Sequence, residues 1–184
     1  PSIQGFDQYA VLYADAKLWL NEGWVDYYTP QLYWPIAQVP QSFPVLLGWW
    51  EEQNWKNRNL WPGIGLYRYV KNENTVVEVL NQIMITRGIV GKYPGVVFFS
   101  FKQFERNLAD INEVLTESVY KDKALVPPSP WLDNEAPAPP KVMATVENGQ
   151  LNVNWEDGGD EPAFVWVVSY KQGGSWANEI VPMG

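Results

Sequence analysis

The sequence predicts an α/β fold over its first two-thirds and the start of an all-β domain beyond it. Three observations lead to this prediction: helical and strand-like segments alternate up to residue 120, a proline-rich stretch follows, and the hydrophobic period then falls to two. The connections between the strand-like segments are long enough for parallel crossovers. Because three parallel strands make a poor domain by themselves, we expect the chain to be part of a larger protein.

Four helices and three strands are expected before the proline-rich stretch. The helices show apolar residues three or four positions apart, and the strands are short apolar or aromatic runs. Thr75 is expected to cap the third helix, with Glu78 completing a capping box and Gly88 ending it. The last strand is apolar throughout, as expected when both faces are buried. The helices are expected at 6–22, 41–50, 75–87 and 103–120, and the strands at 24–34, 59–67 and 95–101.

A change of composition near residue 124 divides the chain. The segment 124–140 contains many prolines and no periodic pattern, which predicts a semi-rigid linker. Asn-Gly and Gly-Gly turn signals then separate strands expected at 141–146, 150–156 and 163–171. We therefore assign residues 1–123 to the α/β part and residues 141–184 to the first strands of an antiparallel β-sandwich.

Composition and charge argue against several classes of function. The net charge of −8 disfavours nucleic acid and anionic membrane surfaces, both of which attract basic proteins. The chain contains neither cysteine nor histidine, so we expect no disulfide, no metal, no cofactor and no Ser-His-Asp catalysis. No apolar run approaches the ~20 residues of a membrane-spanning helix.

The aromatic content is unusually high, with 11 Trp and 10 Tyr in 184 residues. Two interpretations remain open. Aromatic side chains bury large areas and can simply fill the core. Alternatively, their rings can form a platform for sugars, whose apolar C–H faces lie flat on Trp and Tyr. The clustering of many of these residues at predicted strand ends keeps the second interpretation open.

One segment carries a family resemblance. Residues 12–34 read LYADAKLWLNEGWVDYYTPQLYW. This string resembles the bacterial glycosyl-hydrolase-like family ten, in which W-x-x-x-G leads into VDY-x-x-PQ-x-YW. The segments 46–53, 60–68 and 97–101 fit the closing elements of that family. The resemblance, which covers about residues 1–135, implies that the first part is the C-terminal portion of a (β/α)8 TIM barrel.

The segment 136–157 is similar to the first strands of a fibronectin type III-like domain. That resemblance implies that Trp155 is the buried tryptophan of the second strand and that Tyr170 lies in the third. Such a module often follows the barrel in this family, so the sequence predicts a barrel portion joined to a partial β-sandwich.

In (β/α)8 enzymes the site lies at the C-terminal ends of the strands. The resemblance therefore points to side chains at three strand ends. Gln31 and Arg68 would hydrogen-bond sugar hydroxyls or an acetamido group. The rings of Tyr33, Trp34 and Tyr67 would stack on sugar faces, although Tyr33 and Trp34 can also serve to pack beneath loops. Trp49, on a predicted helix, is a further candidate. The substrate-binding candidates are Gln31, Tyr33, Trp34, Trp49, Tyr67, Arg68 and Ser100.

Glycoside hydrolysis normally needs two carboxylates. Asp26 is expected at the lower face of the barrel, Glu51 and Glu52 are expected in solvent, and Glu73 is a weak candidate. None of these makes a convincing pair, and the resemblance implies that the catalytic carboxylates lie at earlier strands, upstream of residue 1.

The resemblance implies a bacterial hydrolase of the cell envelope, periplasmic or secreted, that acts on a polysaccharide or oligosaccharide, in particular the glycan strands of peptidoglycan. A non-catalytic glycan-binding or structural envelope protein is the alternative. An unrelated α/β enzyme is a third, less favoured hypothesis, because fold alone does not fix function.

Overall fold

The computed structural model describes residues 3–182, apart from the side chains of Glu73 and Asn74. The chain divides into two compact units, Pro1–Ser129 and Pro130–Gly184. The predicted linker 124–140 contains neither helix nor strand, and the division falls within it. In the described part of the first unit the helices are α1 (Gln8–Leu12), α2 (Ala16–Glu22), α3 (Phe43–Gln53), α4 (Glu73–Ile89), α5 (Lys102–Glu105) and α6 (Ile111–Thr116). The strands there are β1 (Tyr27–Tyr28), β2 (Asn59–Leu60), β3 (Gly63–Gly65) and β4 (Val97–Phe99).

The strands of the first unit are parallel, as the alternating pattern predicts. Strand β1 pairs with β2, and β3 pairs with β4 with Gly63 opposite Val97. A parallel bridge between Gln31 and Gly63 continues the pairing beyond β1, and the Gly63 amide donates to the Pro30 carbonyl oxygen at 2.8 Å. The mixture of helices and strands is an α/β arrangement. The described strands do not close into a barrel.

The core of the first unit is made by helices α3 and α4 packing with the strands. Fully buried aliphatic and aromatic side chains come from both sources, and burying each one stabilises the fold by about 1.5–3 kcal/mol. Examples are Phe43, Leu47, Leu60, Ile64, Val79 and Ile83, and Leu20 of α2 is buried with them. The 17 residues of α4 make it the longest helix, and no helix in the described residues is long and apolar enough to cross a membrane.

The single helix expected at 6–22 is wrong, because two aspartates start two separate helices there. Asp7 Oδ1 accepts hydrogen bonds from the amides of Tyr9 and Ala10, which caps α1. Tyr13 then adopts a left-handed conformation with φ 55° and ends that helix. Asp15 Oδ1 accepts from the Leu18 amide and caps α2. Aspartate side chains compete with the helical backbone in this way and favour caps over helix interiors.

The helix expected at 103–120 is also interrupted. Asn107, Ala109 and Asp110 all have positive φ, so the segment forms α5, a short 3-10 turn and α6. The Asn107 side chain holds this break, since its Oδ1 atom accepts from the Asn112 amide at 3.0 Å. A local side-chain bond of this kind offers the backbone an alternative to the helix.

Helix α4 starts earlier and ends later than predicted. Asn72, not Thr75, is the N-cap: its side chain accepts from the Thr75 amide, and the Thr75 hydroxyl accepts from the Asn72 amide. The helix runs past Gly88 to Ile89. The predicted capping role of Glu78 is therefore wrong, and its carboxylate is used elsewhere.

Strand β4 is not buried on both faces, contrary to the prediction. Phe98 packs on one face against Phe104, with ring centroids 5.2 Å apart, and against Tyr120. Val97 and Phe99 on the other face are 39% and 54% exposed. The elements that pack on Phe98 cover one face of the strand. The apolar sequence of β4 is therefore compatible with burial of one face alone.

The second unit consists of two antiparallel hairpins in its described residues. The strands are β5 (Lys141–Glu147), β6 (Gln150–Glu156), β7 (Val165–Gln172) and β8 (Ser175–Pro182). Asn148-Gly149 and Gly173-Gly174 form the two tight turns with positive φ, as their sequences predict. Trp155 is half-buried and meets Trp166 edge to face, with centroids 6.5 Å apart. The fibronectin type III-like assignment stays a prediction.

Candidate functional site

Three aromatic rings meet where three parallel strand segments end. Tyr33 and Phe99 stack with centroids 5.7 Å apart, and Tyr67 stands edge-on to each of them at 6.3 Å. Tyr67 is 46% exposed and Phe99 is 54% exposed. Offset stacking and edge-to-face contacts are the favoured geometries of aromatic rings. We call Tyr33, Tyr67 and Phe99 the strand-end cluster; it presents ordered apolar faces to solvent.

Two glycines of β3 let these rings lie directly on the sheet. A Cβ atom at Gly65 would stand 3.0 Å from Tyr33 Cγ and 3.2 Å from Tyr67 Cε1. A Cβ atom at Gly63 would stand 3.1 Å from Tyr33 Cε1. These separations are shorter than ordinary carbon contacts, so any larger residue would push the Tyr33 ring away. The Gly-x-Gly pattern of β3 therefore sets the position of the cluster.

Arg68 adds a cationic group to the cluster. Its Nε–H donates to the Tyr67 hydroxyl oxygen at 3.2 Å, and its guanidinium carbon lies 5.7 Å from the centroid of that ring. The hydrogen bond to Tyr67 is the main reason why the pKa of Arg68 lies above its ordinary value. The guanidinium is exposed, so its remaining N–H groups can donate to a ligand beside the rings.

Tyr33 keeps its phenol proton to a higher pH than a free tyrosine. Burial is the first cause of its raised pKa, and the neighbouring Tyr67 adds to it. A neutral phenol both donates and accepts hydrogen bonds. The cluster thus combines apolar ring faces with donor and acceptor groups at its edge.

The loop 33–36, which carries Tyr33, is fixed from beneath by buried side chains. The Tyr69 hydroxyl donates to the Tyr33 carbonyl oxygen at 2.9 Å. The Gln82 amide Nε2 donates to the Trp34 carbonyl oxygen at 3.2 Å. Burial raises the pKa of Tyr69, which therefore remains a donor. Two successive carbonyl groups of the loop are thereby held.

Glu78 completes this support from α4. Its Oε1 atom accepts from the Ile36 amide at 2.7 Å and from Gln82 Nε2 at 3.0 Å. We call Tyr69, Glu78 and Gln82 the loop clamp. Because Glu78 already accepts two hydrogen bonds beneath the loop, its role in this geometry is to position the loop.

Three other predicted residues lie at the strand ends. Gln31 is exposed and forms a backbone bridge to Gly63, the glycine that the Tyr33 ring approaches. Trp34 is half-buried, with its backbone held by the loop clamp. Ser100 follows a cis peptide bond after Phe99. Its amide and its hydroxyl both donate to Gln103 Oε1, at 3.0 and 3.2 Å.

Trp49 lies in a different environment. Its ring meets Trp50 at 4.8 Å and lies 5.9 Å from the ammonium group of Lys17, so its ring contacts are with residues of α2 and α3. The neighbouring Glu51 is not in solvent as predicted, since its Oε1 atom accepts from the Gly91 amide at 2.9 Å and ties α3 to the end of α4. The predicted residues therefore separate into a strand-end group and Trp49.

Sequence reasoning missed Phe99 and the loop clamp. The position of Phe99 could have been predicted, because neighbouring residues of a strand face opposite sides and Phe99 follows Phe98 in β4. The clamp has no local signal, because Gln82 and Trp34 are 48 positions apart. In the part of the chain that the structure describes, no three carboxylate side chains lie close enough together to hold a metal ion. The Glu73 side chain lies outside the described residues.

Comparisons with known proteins identify hydrolases as relatives. No protein-family model matches the chain. The chain is 37% identical over 155 residues to the glycosyl hydrolase YngK of Bacillus subtilis, a match that covers 80% of this chain and 30% of that protein. It is 35% identical over 66 residues to the glycosyl hydrolase DigH of Escherichia coli K12, covering 35% of this chain and 15% of that protein. These similarities support a glycosyl-hydrolase-like family, although the chain spans less than a third of the length of either relative.

Proposed function

We propose that the chain is the C-terminal, substrate-binding portion of a (β/α)8-barrel glycoside hydrolase, followed by a fibronectin type III-like module. The observation that carries the proposal is the strand-end cluster. Its three rings come from the carboxyl ends of three successive parallel strand segments, where barrel enzymes build their sites. The similarity to proteins named glycosyl hydrolase supports the same activity for the longer protein.

A sugar suits the chemistry of the cluster. The C–H face of a pyranose ring is apolar and lies flat on an aromatic ring, while its hydroxyl groups need donors and acceptors around the edge. Tyr67 and Phe99 supply exposed rings, and Arg68 and Gln31 supply exposed polar groups. A largely apolar surface with a few placed polar groups is typical of ligand sites.

The reaction we propose is carboxylate acid/base hydrolysis of a glycosidic bond, without a metal. One carboxylic acid protonates the leaving oxygen, and a second carboxylate acts as nucleophile or activates water. We assign these two groups to a preceding part of the longer protein. In this portion, the strand-end cluster binds and orients the sugar, and the loop clamp holds Tyr33 in place.

The substrate we propose is a bacterial polysaccharide, namely the glycan strand of peptidoglycan, and the proposed location is the cell envelope. The acetamido groups of such a glycan would accept hydrogen bonds from Arg68 and Gln31.

Calorimetry with a soluble peptidoglycan glycan fragment tests the binding part of this proposal. We expect the chain to bind the fragment and Tyr67→Ala to weaken binding by about fivefold, the size of one aromatic contact. Trp55→Ala is the matched control, because Trp55 follows α3, is 68% exposed and donates its ring N–H to the Glu52 carbonyl oxygen of that helix. Equal affinity for Tyr67→Ala and Trp55→Ala would contradict the assignment. Hydrolysis of the same glycan by the longer protein tests the activity.

A further inference from the structure

We propose a second saccharide-binding site in a cleft between the helices of the first unit. The cleft has a volume of about 410 Å³, large enough for a sugar unit. We call it the helical cleft; its lining includes Asp7, Gln8, Tyr9, Asp15, Lys17 and Trp49. It shares the ligand class of the proposed function but uses none of the residues of the strand-end cluster.

Trp49 gives the cleft an ordered aromatic surface. Its side chain is 43% exposed, while its neighbour Trp50 is buried. The two indoles meet at an interplanar angle of 75°, and the Lys17 ammonium group lies near the Trp49 ring. These two contacts restrict the ring, so a ligand that stacks on its exposed part does not have to order it first.

The broken helix supplies acceptors on the other side of the cleft. Because the chain turns at Tyr13, the caps of α1 and α2 both border the same cavity. Asp7 and Asp15 each use the Oδ1 atom for capping, which fixes the direction of the carboxylate. The second oxygen of a carboxylate can accept from a sugar hydroxyl. A continuous helix over 6–22 would not bring these two caps to one cavity.

The charges of the cleft favour an uncharged sugar unit within the glycan. The lining contains two carboxylates and one ammonium group, that of Lys17, so its net charge is negative. A phosphate or a carboxylate on a ligand would be repelled. Gln8 and Lys17 provide donors next to these acceptors. A ring with an apolar face and alternating hydroxyl groups satisfies both the indole and the polar wall, whereas an anionic ligand does not.

When the helical cleft and the strand-end cluster bind the same polymer, the overall affinity rises although the contacts at each site stay the same. Once one sugar unit is bound, the rest of the strand is held at a high effective concentration near the other site. The helical cleft therefore acts in retention of long glycans, and the strand-end cluster acts in local binding.

Nuclear magnetic resonance of the indole N–H groups, with the neutral tetrasaccharide of β-1,4-linked N-acetylglucosamine as probe, tests the site. We expect the Trp49 signal, assigned with Trp49→Phe, to shift on titration both in the unsubstituted chain and in Tyr67→Ala. The Trp55 signal is the internal control and should not move. A Trp49 signal that stays unchanged overturns the proposal, and a shift produced by a peptide of matched size but not by the tetrasaccharide overturns the ligand class.

Retention on an insoluble polymer of the same sugar gives the second readout. We expect Trp49→Ala to lower the affinity for the polymer by about fivefold and Trp49→Phe to retain most of it, because phenylalanine keeps an aromatic face. Equal retention for Trp49→Ala and Trp55→Ala overturns the helical cleft. An effect of Trp49→Ala without an effect of Tyr67→Ala refutes the strand-end cluster and leaves the helical cleft standing, so the two proposals fail separately.

Discussion

The side-chain amide of Gln82 donates to the backbone carbonyl oxygen of Trp34, joining α4 to a loop 48 positions earlier in the chain. Gln82 is completely buried and also donates to Glu78. A buried amide left without its partners costs free energy, so this contact links the stability of the first unit to the position of the loop 33–36.

Gln82→Met tests that link. The substitution keeps the approximate volume and removes both hydrogen bonds, so we expect a loss of about 1–3 kcal/mol in the free energy of unfolding. We also expect weaker saccharide binding, because Tyr33 then loses part of its support. Denaturant unfolding and calorimetry measure the two effects.

Thr86→Val is the control for Gln82→Met. The buried Thr86 hydroxyl donates to the Gln82 carbonyl oxygen at 2.8 Å, one turn further along α4 and away from the loop. This substitution should lower stability while leaving saccharide affinity unchanged. If both variants bind as well as the unsubstituted chain, the clamp supports the fold alone.

Gly65→Ala should displace the strand-end cluster. The added methyl group would meet Tyr33 Cγ at 3.0 Å, and overpacking of this kind costs about 1–3 kcal/mol. Gly88→Ala is the matched control, since no atom stands within 4 Å of its Cβ position and alanine favours the helix by about 0.8–1 kcal/mol. Thermal unfolding should move in opposite directions for the two variants. A rise in melting temperature for Gly65→Ala would show that the ring does not need the glycine.

Alkaline pH should destabilise the first unit through Tyr28. Burial raises the pKa of Tyr28 from 10.0 to about 12. Because the folded-state pKa exceeds the unfolded one, the contribution of Tyr28 is complete below pH 10.0 and is lost as pH rises toward about 12. Tyr28→Phe should flatten the fall in free energy of unfolding across that window. The slope is measured by denaturant unfolding at several pH values, and an unchanged slope would contradict the assignment.

Asn72→Ala should destabilise α4 by about 1 kcal/mol, the usual cost of losing an N-cap. Asn72→Asp keeps the acceptor for the Thr75 amide and should retain the stability. Asn81→Ala, at an exposed position inside the same helix, is the control and should be neutral or slightly stabilising. Equal stability of Asn72→Ala and Asn81→Ala would refute the capping box.

Much of the architecture follows from local patterns. The alternation of helices and parallel strands is confirmed, and the two tight hairpin turns form where Asn148-Gly149 and Gly173-Gly174 supply positive φ. These features depend on neighbouring residues, which is why the sequence predicts them.

The predictions fail where the local structure depends on a residue far away in the sequence or on a weak local signal. Tyr13 turns the chain without a glycine or a proline, so its position carries no strong breaking signal. Glu78 has the spacing of a capping residue, yet it bonds to Ile36, 42 positions away. Phe99 belongs to an apolar run whose exposure depends on which faces other elements cover. Whether a ring packs or binds is therefore not encoded in its own segment.

The glycines under Tyr33 also bear on how the site can change over evolutionary time. The Tyr33 ring lies directly against the backbone of Gly63 and Gly65. Any larger residue at either position would therefore move the ring. Under the proposed function, inherited variation in ligand preference is then expected at the edge of the strand-end cluster, where Gln31 and Arg68 are exposed. Related proteins that keep both glycines should share the same stacking geometry and differ in the polar groups around the rings.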